Sequence, residues 1–272
     1  MTATELSDAD EDDLPLRQAL AAAGVLAETR AWDDPAVDWG AARAVVLRST
    51  WNYVQRKDAF MAWAERCAAA TALWNPLPVI RWNIHKSYLL ELADAGIPVV
   101  PTRLLPRGRP AWLAETAADW PEVVMKPAIS AGSFGTMQVA REDFARGQAH
   151  LDAMLPERDM LVQPYFPSVA THGERAVVWI DGAFTHEVRK STRFSGDAEQ
   201  TSTALPVAPE ELAVAEQVMA AAPRPLLYAR IDLVRDEAGR PHLMELELIE
   251  PSLFFSGIPA AAARLAAAIA RL

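Results

Sequence analysis

The chain has 272 residues, 51% hydrophobic and 23% charged, which suffices for one large domain or two to three small ones and excludes intrinsic disorder. Its net charge of -10 argues against nucleic-acid partners, and Glu5, Asp8, Asp10, Glu11, Asp12 and Asp13 supply six of the acids, so the body is nearly balanced. No uncharged stretch is long enough to span a membrane and the acidic start is the opposite of a targeting peptide, so a soluble cytoplasmic protein with no membrane partner is expected. The single cysteine, Cys67, excludes an internal disulfide framework and a thiolate metal cluster.

The acidic run leads into a helical pattern over residues 14–23 with no apolar strand before it, so the first strand of an α/β unit is missing or very short. A β-rich run follows at 44–47 and a helix at 58–69, and turn-forming Asn75, Pro76 and Pro78 close an N-terminal unit of about 80 residues. Next come a helix over 86–95, β-rich runs at 99–105, 123–125, 160–162, 176–180 and 184–188, a helix over 210–221, and two β-runs at 227–234 and 243–249. An alanine-rich helix over 259–272 closes the chain. Alternating periods of this kind predict an α/β fold, with a second boundary near 163–165.

Four segments carry candidate chemistry. Residues 122–136 combine a buried strand ending near Lys126 with a loop holding Ser130, Gly132, Ser133, Phe134 and Gly135. Glycine lets backbone amides approach phosphate oxygens, and a lysine adds a point charge; the simpler reading is a hairpin loop with a solvated lysine. A two-residue turn at Ala238-Gly239 would set Asp232 opposite Glu245, with Glu247 on the same face. Acids among Leu, Ile and Met are costly to bury unless paired or metal-bound, and an oxygen-only trio suits Mg²⁺; alternatively they occupy a solvated face. The strand that breaks at Gln163-Pro164-Tyr165 can offer backbone groups to a flat ring, and Glu174 can accept from ribose hydroxyls, or both are an ordinary strand end. Lys86, one of only four lysines, is expected in a first helical turn, where a cation opposes the helix dipole unless an anion binds nearby; otherwise it is solvated. No Ser-His-Asp order and no Cys-His pair suggests nucleophilic catalysis.

The succession Lys86, Lys126 with its Gly-rich loop, Gln163 with Glu174, then Asp232, Glu245 and Glu247 resembles the ATP-grasp superfamily from about residue 83 to the C-terminus. Residues 42–53 resemble the pre-ATP-grasp domain of a bacterial subgroup that includes the cycloserine-forming cyclo-ligase. The resemblance implies an α/β pre-ATP-grasp domain over 1–80, a lid subdomain over 81–162 and a C-terminal subdomain over 163–272, the ATP-grasp part being α+β. It further implies ATP and Mg²⁺. Lys86, Lys126 and residues 130–136 would hold phosphates, residues 162–165 the adenine, Glu174 the ribose, and Asp232, Glu245 and Glu247 the metal. Gln163 and Glu247 depart from the Glu and Asn found in many members.

By the same resemblance the reaction is ligation of a small carboxylate to an amine, or its cyclisation, through an acyl phosphate. Arg189, Lys190 and Arg193, after the strand 184–188, would steady the anionic substrate or else form a solvated basic loop; Arg48, Trp51 and Tyr53 end an N-terminal strand and would line the substrate pocket or else cap the surface; and residues 191–206, rich in Ser, Thr and Gly, read as a lid. A kinase of a small-molecule hydroxyl and a non-catalytic nucleotide-binding module are the alternatives, and a homodimer is one expected assembly.

Overall fold

The computed structural model describes residues 2–3, 10–191 and 201–272. After helix α1 (Asp13–Ala22), strand β1 (Ala44–Val46), helix α2 (Lys57–Ala70) and strand β2 (Ala72–Trp74) form a βαβ unit whose two strands run parallel. Helix α2 buries Phe60, Trp63, Ala64 and Cys67, the i, i+3, i+4, i+7 stripe of an amphipathic helix, against Trp32, Tyr53 and Leu73. Among the described residues of the N-terminus, Thr2 bridges in parallel to both Ala31 and Ser49, in the place of a first strand.

The expected punctuation at Asn75, Pro76 and Pro78 proves to be a helix start: Pro76 sits at the N-cap of α3 (Leu77–Asn83), with Pro78 in its first turn, where a missing N–H costs nothing. Asn75 and Asn83 are buried and act as clips. Asn75 donates to the carbonyls of Tyr228 (3.0 Å) and Leu248 (2.6 Å) and accepts from the Leu227 amide at 2.8 Å. Asn83 bonds Leu246 and Leu248 in the same way. The expected boundary at residue 80 thus falls inside α3.

Helix α4 (Tyr88–Asp94) precedes an antiparallel sheet in the order β3-β6-β4-β5, built from β3 (Arg103–Leu105), β4 (Glu122–Pro127), β5 (Met137–Ala140) and β6 (Met160–Pro164). Val123, Met125, Val139, Met160 and Val162 bury one face of it against α5 (Leu113–Thr116) and α6 (Phe144–Met154). The sequence reading missed α6. Its Gly147 is a weak helix former, yet a Cβ there would lie 2.5 Å from Leu113 Cδ2, so glycine lets α6 pack closely without shifting Leu113.

Past α7 (Ser168–Thr171), strands β7 (Glu174–Ile180), β8 (Ala183–Lys190), β9 (Tyr228–Arg235) and β10 (Pro241–Glu247) make a second antiparallel sheet, ordered β10-β9-β7-β8. Val177, Ile231 and Leu233 pack beneath it with α4 and α8 (Pro209–Ala221). On the other face Val178, Ile180 and Tyr228 pack against α1 and α9 (Pro259–Ala270), while alternation along β9 leaves Arg230 and Asp232 on the face of Tyr228, beyond those helices.

The β9–β10 turn differs from expectation. Asp236 N bonds Arg240 O at 3.0 Å, closing a three-residue loop with Gly239 at φ 78°, so Leu243 faces Leu233. A bulge at Met244 then restores Glu245 opposite Asp232 and Glu247 opposite Arg230. The expected pairing therefore arises from a different turn plus a compensating bulge.

Among the described residues no helix is long and apolar enough to cross a membrane. The acidic start is not simply a solvated run. Asp12 is buried; its carboxylate accepts from the amides of Leu253 (2.5 Å) and Phe255 (2.7 Å) and from Arg48 Nη2 at 3.0 Å. Glu5 and Asp8 lie outside the described residues.

Candidate active site

A cleft of about 870 Å³ is lined by residues of both four-stranded sheets and of the N-terminal unit. Its floor is the charged face of β9–β10. Arg230 and Asp232 are two apart on β9, Glu245 and Glu247 two apart on β10, and each pair faces the other in register. Burial alone would suppress charge on these side chains, but each carboxylate meets a cation.

Glu245 is shared by two lysines, with Lys86 Nζ 2.9 Å from Oε1 and Lys126 Nζ 3.8 Å from Oε2. Lys86 also donates to the Ser130 carbonyl (2.6 Å) and hydroxyl (3.1 Å), at the base of the Gly-rich loop. Burial lowers the Lys126 ammonium, and Glu245 works against that shift; burial likewise raises the Glu245 carboxyl, but Lys86 and Lys126 outweigh it and bring it below its ordinary value.

Asp232 has the opposite neighbours. Lys190 Nζ donates to its Oδ2 at 2.8 Å, and Arg230 grips it through Nε and Nη2, both at 2.9 Å. Burial opposes its charge, but Arg230 and Lys190 outweigh burial and hold its carboxyl far below the usual range. Arg230 also contacts Glu247, and Lys190 also contacts Glu174. Burial pushes Glu247 up to about 7 and Glu174 up to about 8, Asp232 adding to both.

Lys86 lies in the turn before α4 rather than inside its first turn; its backbone N–H bonds Ala128 O at 2.8 Å, aiming the ammonium into the cleft. Ser130, Gly132, Ser133 and Phe134 line the cleft. Gly135 does not; at φ 67° its Cβ would meet Met154 Cε at 2.7 Å, so it shapes the loop from behind. Gln163, Pro164, Tyr165 and Glu174 also line the cleft, but the Gln163 side chain donates to Thr102 Oγ1 (2.8 Å) and the Tyr165 N–H is taken by Glu122 O (3.0 Å).

Arg189 is exposed, outside the cleft, and donates to Thr171 O at 2.9 Å, while Lys190 lines the cleft and faces its carboxylates. Arg230 is the only arginine among the described lining residues, and the sequence reading missed it. Its signal was present: an Arg two residues before an Asp on one strand shares its face. Trp51 and Tyr53 line the cleft, whereas Arg48 lies outside it, bound to Asp12 and over the Tyr228 and Phe255 rings. Arg193 and residues 192–200 lie outside the described residues. The rest of the expected lid lies along β8, with Thr201 bridging Lys190 and Leu205 bridging Glu187.

Ser87, His85 and Asp159 do come together, His85 Nδ1 lying 2.9 Å from Ser87 Oγ and Nε2 3.0 Å from Asp159 Oδ2. None lines the cleft, and Nδ1 already accepts the Ser87 N–H at 3.2 Å, so the trio ties the Lys86 turn to the start of β6. Cys67 is buried, which pushes its thiol up to about 11 and leaves it unreactive.

A carboxylate-rich floor on one antiparallel sheet, met by Lys126 from a second sheet, Lys86 from the turn before α4 and a Gly-rich loop, defines an enzyme of the ATP-grasp ligase type. Residues 1–75 match the family described as the N-terminal domain of D-cycloserine synthetase DcsG. The chain is 33% identical over 279 residues to the cycloserine biosynthesis protein DcsG of Streptomyces lavendulae, covering 96% of this chain and 93% of that protein. The crystal structure of D-cycloserine synthetase DcsG superposes with a TM-score of 0.92 at 32% identity, over 99% of this chain and 97% of the other. The ATP-grasp ligase PsnB, solved with a minimal precursor, Mg and ADP, shares the fold at a TM-score of 0.62 and 20% identity, over 96% and 95% of the two chains. The chain belongs to the DcsG family of ATP-grasp ligases.

Proposed function

We propose that the protein is an ATP- and Mg²⁺-dependent ligase that activates a small amino-acid-like carboxylate as an acyl phosphate and joins it to a nitrogen nucleophile. The observation that carries this reading is the division of cations around the β9–β10 carboxylates, with Lys86 and Lys126 on Glu245, and Lys190 and Arg230 on Asp232. Phosphoryl transfer needs positioned charge rather than a protein nucleophile. Lys86 and Lys126 bind the transferring phosphates, and the amides of residues 130–134 approach their oxygens. The hinge at residues 163–165 takes the adenine and Glu174 the ribose. Arg230, rather than Arg189, faces the oxyanion of the tetrahedral intermediate.

The metal donor set consists of oxygen only, as Mg²⁺ requires, and Asp232, Glu245 and Glu247 would hold the ion. When bound, Mg²⁺ neutralises charge on the transferring phosphoryl group. Among the described residues no three acids, histidines or cysteines already converge as a metal cage, because each carboxylate is engaged by a lysine or arginine. Tight Mg²⁺ binding is therefore expected only with nucleotide present; titration calorimetry finding the same tight Mg²⁺ binding in its absence would contradict this.

The carboxylate oxygen attacks the γ-phosphorus and ADP leaves; nitrogen then attacks the acyl carbon and phosphate departs with that oxygen. The relative named D-cycloserine synthetase supports the cyclising form, with carboxylate and nitrogen on one molecule. Trapping tests the reading: a carboxylate that drives ADP release should yield a hydroxamate with hydroxylamine. ADP release without hydroxamate would indicate a kinase. For Lys126→Ala, ATP affinity should fall by about 1.5 to 3 kcal/mol, the range for a charge-assisted contact; unchanged affinity in the folded variant would remove Lys126 from the phosphate site.

A further inference from the structure

Glu250 is a second kind of acid in the cleft. It is 7% exposed, and the described lysines and arginine of the cleft pair with Glu245, Asp232, Glu174 and Glu247 rather than with it. Lys86 acts on it from nearby, but that ammonium is committed to Glu245 and Ser130. The neutral Tyr53 phenol is the polar side chain beside its carboxyl, and both line the cleft. A buried carboxylate without a cation is costly, and this one opens onto a ligand cleft.

The segment carrying Glu250 is built to present it. Glu250, Ser252 and Phe254 line the cleft, while Leu253 and Phe255 are buried in the core. Asp12 accepts the Leu253 and Phe255 amides, Trp51 Nε1 donates to the Glu250 carbonyl at 3.1 Å, and Arg230 Nη1 donates to the Ser252 carbonyl at 3.2 Å. Asp10 and Glu11 line the same cleft.

We infer that Glu250, beside Tyr53 and fixed at its backbone carbonyl by Trp51, receives a substrate ammonium group, so that the enzyme selects carboxylic acids bearing a free amino group. This rests on the ligase reading above. Burial and the neighbouring Glu247 push the Glu250 carboxyl up to about 8, and a cation in contact offsets both effects by favouring the carboxylate.

The test uses the full chain with Mg-ATP and hydroxylamine as acceptor, so that only the carboxylate varies. Alanine, serine and homoserine of both hands are compared with propionate, 3-hydroxypropionate and 4-hydroxybutyrate, which lack the amino group. Wild type should form hydroxamate with the best amino acid about 10- to 100-fold more efficiently than with its counterpart, the range for one charged pair in a buried site. Glu250→Gln should collapse that ratio towards one by slowing the amino acid alone, at unchanged KM for ATP. Tyr53→Phe, which keeps the ring, should lower the ratio part-way and covers the case in which Glu250→Gln does not fold.

Equal use of the two acids by wild type, an equal loss on both in Glu250→Gln, or recovery of that variant at high Mg²⁺ would overturn the assignment, the last by making Glu250 a metal ligand. ADP release that rises with the carboxylates but gives no hydroxamate from any of them would instead refute the ligase reading, and the assignment with it.

Discussion

Replacing Asp12 with alanine is expected to destabilise the protein by about 3 to 5 kcal/mol, the range for removing one member of a buried ion pair. Three donors lose their acceptor at once: the amides of Leu253 and Phe255, and Arg48 Nη2. Arg48 is the decisive term, because its guanidinium is buried between Tyr228 and Phe255 and two of its nitrogens, Nε and Nη1, already lack hydrogen-bond partners. Without Asp12 an uncompensated charge stays in the core. Urea denaturation of the wild type and Asp12→Ala reads the loss directly, and a shift below about 1 kcal/mol would mean that Asp12 is not the anchor of this seam. The segment released carries Glu250, Ser252 and Phe254, so substrate affinity should weaken in whatever fraction still folds.

Glu245→Gln is expected to lower turnover by about 10²- to 10³-fold, comparable to removing one preorganised electrostatic group from an active site. Glu245 is the anion on which Lys86 and Lys126 converge. Burial already lowers the Lys126 ammonium and Lys86 adds to the effect, with Glu245 the largest influence in the other direction. Neutralising Glu245 therefore lowers Lys126 further, besides removing the carboxylate charge proposed to hold Mg²⁺. Raising the pH should accordingly weaken ATP binding earlier in the variant than in the wild type. Calorimetry of nucleotide binding across pH, beside steady-state turnover, checks both statements; full activity of Glu245→Gln would contradict them.

The fold class and most strands and helices from α2 onward were legible because their periods are strong, as in the Phe60, Trp63, Ala64, Cys67 stripe of α2. What stayed hidden depends on long-range partners. Asp12 looks like one acid among six until Leu253 and Phe255 arrive more than 240 residues later. Asn75 and Asn83 look like loop residues until they clip β9 and β10. The carboxylates were legible from strand alternation, although the pairing depends on the Met244 bulge, which no local signal marks. Arg189 and Lys190 are neighbours in sequence, but on a strand they face opposite ways: Lys190 enters the cleft and Arg189 does not.

The most direct test of the account follows one oxygen atom. With the substrate carboxylate labelled with ¹⁸O and unlabelled ATP, a reaction through an acyl phosphate transfers one labelled oxygen into the inorganic phosphate released, visible as an isotope shift in the ³¹P spectrum. One ¹⁸O per phosphate is expected in each turnover; phosphate that emerges without label while product forms would contradict an acyl phosphate.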